Sequence, residues 1–120
     1  MANINESLTN VLDLDGALGA CVVDSGSGMM LGAQGGGPVN LEVAAAGNTE
    51  VVRAKRKTMN ALDLNDDIED ILISLGRQYH LIRPLSRNNA LFIYLVLDKN
   101  KGNLAMARMK LAAVEKEMVL

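Results

Sequence analysis

One segment restricts the possible fold more than any other: Ala90 to Leu97, ALFIYLVL. It is apolar on both of its alternating faces. Such a strand is stable in the middle of a sheet, with cover on each side. The rest of the chain must therefore supply flanking strands and two covers. Immediately upstream, Ile68 to Gly76 and Gln78 to Ser86 read as two more strands, with the third ending at Asp98. Short turns join the three, so they pair antiparallel, because a parallel return needs a long crossover. Ile68 to Leu75 alternates poorly, with Glu69, Asp70 and Ser74 among its apolar residues, which suits a sheet edge. Near the start, Ala17 to Asp24 (ALGACVVD) reads as a buried strand. Ser25-Gly26-Ser27-Gly28 is a tight connection and Met29 to Ala33 is the return strand.

The covers are helices. Ile4, Leu8, Val11 and Leu12 share one face of a short N-terminal helix, which Asp13, Asp15 and Gly16 end. Gly35-Gly36-Gly37-Pro38 is a loop. From Val39 or Asn40 to Leu62 the spacing predicts a long helix with two stripes. Leu41, Ala45, Asn48, Val52, Lys55, Met59 and Leu62 form a mostly apolar one. Val43, Gly47, Val51, Ala54, Thr58 and Ala61 form a second, made largely of small residues, while Glu42, Thr49, Arg53, Arg56 and Asn60 form the solvated side. Two stripes need two packing surfaces. Either the helix sinks deeply into its own core, or it covers its own sheet and meets the same helix of a second subunit. The periodicity leaves both open. Asp63 to Asp67 is an acidic turn, Lys99 to Gly102 closes the sheet, and Asn103 to about Met118 is a last helix. Leu104, Ala107, Leu111, Val114 and Met118 form its inward stripe.

The order of elements gives an α+β fold, a three-layer α/β/α sandwich with a five-stranded antiparallel sheet and three helices. A chain of 120 residues supports one core, so residues 1–120 are expected to form a single domain.

Composition then removes function classes. There is no Trp, and only two Tyr and one Phe, which leaves few platforms for stacking bases. A net charge of −2 sets up no field that steers the chain to nucleic acid or an anionic membrane. One cysteine cannot form an intramolecular disulfide. The start MANINESLTN lacks the basic and apolar regions of a signal peptide, and no apolar run reaches roughly 20 residues. The expectation is a cytoplasmic protein that binds neither nucleic acid nor membrane.

Catalytic and cofactor chemistry finds little support. Gly26-Ser27-Gly28 has no Gly-Lys-Ser/Thr beside it and lies in a hairpin rather than opening a helix, so it is no phosphate cradle. Ser27 is not in Gly-x-Ser-x-Gly. His80 is the only histidine and reads as a strand residue with a structural hydrogen bond; Cys21 reads as a buried small hydrophobe. No catalytic residue, metal ligand or cofactor is assigned. The most basic segment is Arg53-Ala54-Lys55-Arg56-Lys57, whose ordinary role is a solvated helix face. Arg53, Arg56 and Lys57 nevertheless rank first as a protein-contact surface. Glu50, Asp63, Asp66, Asp67, Glu69 and Asp70 lie close enough in sequence to neutralise them. Asn48, polar on an apolar stripe, could pair across a dimer axis or bond within its own chain.

This arrangement resembles the Roadblock/dynein-light-chain domain, which is profilin-like. Gly16-Ala17-Leu18-Gly19-Ala20-Cys21-Val22-Val23-Asp24, Gly28 and the return strand are similar to its opening hairpin. The helix from Leu41 with Ala44-Ala45-Ala46 is similar to its long second helix, and Leu91 to Leu97 with Asn103-Leu104-Ala105 and Arg108 to its last strand and helix. The resemblance covers nearly the whole chain, through order and spacing. It implies a non-catalytic homodimer or heterodimer, with the long helix packed on its mate and the following strand paired edge to edge. The implied interface is Val43, Gly47, Val51, Ala54, Thr58 and Ala61 with Glu69, Asp70, Ile71 and Ile73. It further implies a regulator of a Ras-like small GTPase, with a scaffold or motor-adaptor subunit as the alternative and a small-ligand sensor as a third.

Overall fold

A computed structural model describes all 120 residues. Three helices and five strands follow in the order α1 (Ile4–Val11), β1 (Ala17–Asp24), β2 (Met29–Gly35), α2 (Leu41–Ala61), β3 (Ile71–Ser74), β4 (Gln78–Pro84), β5 (Leu91–Asp98) and α3 (Leu104–Glu117). Each helix opens with an asparagine. Asn3, Asn40 and Asn103 accept from the backbone N–H of Glu6, Val43 and Met106, satisfying donors that a helix start leaves free. Glu6 returns a bond to the Asn3 backbone and completes a capping box.

The sheet is antiparallel, in the order β2-β1-β5-β4-β3. β5 lies in its centre with Leu91 to Leu97 all buried, as its two apolar faces require. Leu8, Val11, Leu95, Leu97, Leu111 and Val114 belong to the core beneath α1 and α3. Cys21, Val23, Ala45, Val52, Ile82 and Tyr94 belong to the smaller core beneath α2. The result is the expected three-layer α+β sandwich.

Several boundaries differ from the sequence expectation. β2 runs on to Gly35, two residues past Ala33, before the left-handed backbone of Gly35, Gly36 and Gly37 carries the chain away. β3 is shorter than Ile68 to Gly76, and its partner strand explains why. Leu75 donates to the Gln78 carbonyl, so the pairs Ile73–His80 and Ile71–Ile82 exchange ladder bonds. The next exchange would need an N–H from residue 84, which is proline. Glu69 therefore lies ahead of the strand. Thr49, expected in solvent, is buried, with its hydroxyl turned back onto the Ala45 carbonyl at 2.8 Å. Leu62, expected on the inner stripe, is exposed just past the last turn of α2. There Asp63 takes a left-handed conformation, φ 55°, and the N–H groups of Asp63 and Leu64 return to the carbonyls of Asn60 and Met59.

Candidate protein-interaction surface

The second stripe of α2 faces outward. Val43 is 69% exposed, and Gly47, Ala54, Thr58 and Ala61 are also exposed, with Val51 half-buried. Gly47 is the most informative of them. A glycine inside a helix costs about 1 kcal/mol relative to alanine. A Cβ added at Gly47 would meet nothing within 4 Å, so no contact within this chain requires glycine there.

Beside this stripe runs the free edge of β3. With Ile71 and Ile73 bonded to β4, the backbone groups of Leu72 and Ser74 point away from the sheet. Ile71 and Ile73 are half-buried on the α2 side. Between α2 and the lead-in to β3 lies a groove of about 480 Å³, bordered by Val51, Met59, Leu64, Ile68 and Ile71, with Lys55 at its rim. The small-residue stripe, the open edge and the groove form one continuous region. Of the residues proposed for the interface, Asp70 stands apart. Its carboxylate is held by Arg108 of α3 at 2.9 Å.

The basic run divides in two. Arg53 donates to the carbonyls of Ser25 (3.0 Å) and Gly26 (2.6 Å) and pairs with Glu50 at 3.1 Å. Arg56 donates to the Asn89 carbonyl at 2.5 Å and, at 3.4 Å, to the Ser25 hydroxyl. Both guanidiniums thus tie α2 to the β1–β2 and β4–β5 turns. Lys55 and Lys57 are exposed and make no ion pair, so these two project freely. Of the acids near this run, only Glu50 meets it.

Beneath α2 a polar chain crosses the sheet. Gln78 Oε1 accepts from His80 Nε2 at 2.8 Å, so His80 Nδ1 is the acceptor for the Tyr94 hydroxyl at 3.0 Å. Burial holds the His80 imidazole below its usual range. Burial likewise raises Tyr94, an effect that the neighbouring Asn48 opposes and the nearby Cys21 aids. His80 has the structural bond expected of it. Burial pushes the Cys21 thiol up to about 12, so it stays protonated and unreactive. No group of three or more His, Cys, Asp or Glu side chains converges on a point that could hold a metal, and no helix is long and apolar enough to cross a membrane.

The sequence matches no protein-family model and no curated relative. Solved structures do match. A Roadblock/LC7 domain from Streptomyces avermitilis superposes with a TM-score of 0.82 at 10% identity, covering 97% of this chain and 94% of that one. The fold is that of the Roadblock/LC7 domain. Gliding protein MglB from Thermus thermophilus also superposes, with a TM-score of 0.71 at 19% identity over 93% of this chain and 87% of that one. MglC from Myxococcus xanthus gives 0.60 at 16% identity over 93% and 92%. At these identities the shared property is the Roadblock/LC7 architecture itself.

Sequence reasoning missed two features of this surface. The arginine bonds to the turns needed the turns' positions in space. The early end of β3 was encoded in Pro84, a residue of a different strand.

Proposed function

We propose that this protein is a non-catalytic, cytoplasmic homodimer that binds a Ras-like small GTPase and modulates its nucleotide state. Gly47 carries the first half of this reading. It sits mid-helix on an exposed face of small residues where nothing in its own chain needs a glycine, and close approach of a second α2 is a physical reason for it. The interface comprises Val43, Gly47, Val51, Ala54, Thr58 and Ala61 of α2. The free edge of β3 adds Ile71 and Ile73, with Glu69 and Asp70 at its start. Lys57 lies beside this face as a contact for the partner, and Arg53 and Arg56 shape the turns around it. The second half rests on fold likeness to MglB, a gliding protein, and to MglC, together with the absence of any acid–base or metal constellation. In this mechanism the GTPase supplies the reacting groups, and the dimer holds its switch segments in one arrangement.

Two measurements test the reading. Sedimentation equilibrium at micromolar concentration should give twice the chain mass, and Gly47→Glu should give a monomer of unchanged helix content. A monomeric unsubstituted protein would remove the architecture. Capture from native lysate, with GDP or a non-hydrolysable GTP analogue present, should then retain a small GTPase in one nucleotide state. Retention of a larger assembly regardless of nucleotide would move the assignment to a scaffold or motor-adaptor subunit.

A further inference from the structure

We propose that the outward face of α3 is a docking surface for an acidic amphipathic helix of another protein. The observation is a contrast between neighbours on the same face of the sheet. α1 turns polar groups outward, among them Asn5, Glu6, Thr9 and Asn10. α3 does not. Its inward stripe fills the core with Ala107, Leu111 and Val114, yet its outward side is also apolar: Ala105, Met106, Met109 and Ala113. Met106 is 60% exposed and Met109 72%. A helix apolar on opposite sides belongs between two packing surfaces, and this chain supplies only one. The row has the i, i+3, i+4 spacing that a second helix reads. Its alanines leave shallow notches for large side chains, and its methionines adapt their shape.

Charge selects the occupant. The acids of α3 are already engaged: Glu115 by Arg83 at 2.7 Å, Glu117 by the terminal amino group at 3.2 Å. Arg108 is neutralised by Asp70. What remains is positive. Lys110 donates only to the Asn10 amide oxygen, Lys116 has no ion pair, and Lys101 lies just ahead of the helix. Three lysines without an ion pair on or just ahead of this helix, on a chain whose net charge is −2, fit Asp and Glu flanking the apolar face of the incoming helix. A second copy would bring lysines against lysines. A bilayer is a poorer match, since the row holds only two large apolar groups and no aromatic. The surface lies across the sheet from α2, so both faces can be occupied together.

The test places a photo-crosslinking amino acid at Met109 in the full chain, with the same substitution at Thr9 of α1 as control, in lysate of the source cell. Mass spectrometry identifies the joined peptide. The expected result is an adduct specific to position 109, with a segment carrying helically spaced apolar residues and flanking Asp or Glu. Its yield should fall about tenfold in the combined Lys110→Glu and Lys116→Glu variant. Met106→Glu, which removes apolar contact, should lower it similarly. These positions lie at or near the surface, so circular dichroism and sedimentation mass should be unchanged, which separates a lost docking site from a lost fold or dimer. An adduct to lipid, to a second copy or to a segment without acids would overturn the proposal. So would a yield no greater than at Thr9, or one indifferent to the charge reversals.

Discussion

The two faces of the sheet are covered to different degrees. The α1/α3 face is closed by two helices and fastened by ion pairs. Arg83 and Glu115 meet at 2.7 Å almost out of solvent, Glu115 also accepts from the Ser86 backbone and hydroxyl, and Arg87 donates to the Glu115 and Met118 carbonyls at the end of α3. The α2 face has a single helix resting mainly on β1 and β2, and its half over β3 and β4 is left with half-buried Ile71, Ile73 and His80 beside an open groove. The difference teaches where cohesion within the chain ends. One face is fixed by buried charge inside the chain. The other is left incomplete in the same region where α2 presents its glycine.

The sharpest way to break this contrast is Glu115→Ala, which strands Arg83 in a buried site. It should cost about 3–5 kcal/mol, read as a lowered urea midpoint at every protein concentration. Val52→Ala removes a fully buried side chain from the α2 face and should cost about 2 kcal/mol. If a second copy completes that face, the midpoints of the unsubstituted protein and of both variants should rise with protein concentration, and Gly47→Glu should abolish that rise. Asp63→Gly should act in the opposite direction. It relieves a left-handed non-glycine residue at the end of α2 and should stabilise by about 0.5–1 kcal/mol in thermal unfolding.

The smallest expected effect is a pH dependence that belongs to the α2 face. Burial lowers the folded-state pKa of His80 below its ordinary 6.5, so the unfolded chain binds the proton more readily. The His80 contribution to stability is therefore fully present above pH 6.5 and declines as pH falls through 6.5 toward the folded value. The denaturation midpoint should fall over that window, and His80→Gln should flatten the decline. An unchanged profile in that variant would show that His80 does not couple folding to protons.

Most of the fold was legible in local pattern. ALFIYLVL demanded a central, doubly covered strand, and apolar spacing marked all three helices. The stripes of α2 were assigned from spacing alone, and the outer stripe proved exposed. What spacing could not supply was any interaction reaching across the fold. Arg53 and Arg56 looked like a basic surface because their turn partners lie about thirty residues away in sequence. Glu69 looked like a strand residue because the missing donor that ends β3 is Pro84. Thr49 looked solvated because its hydroxyl carries a polar label, although it bonds its own helix. The exposed methionines of α3 were present in the sequence, but the lack of cover over them became visible only once α1 lay alongside.

The central position of β5 has a consequence for how the chain reaches this state. Val22 of β1 lies opposite Ile93, and the strand that joins the two hairpins of the sheet is also the last to be made. Ribosomal synthesis supplies the two flanking hairpins first and the axis last. Before Leu91 emerges, β1–β2 and β3–β4 can each form locally, but neither has the neighbour that buries its inner side. Closure must therefore wait for β5, through a contact between distant segments of the kind that makes folding slow. A nascent chain of this design is in its most association-prone condition just before its final strand arrives.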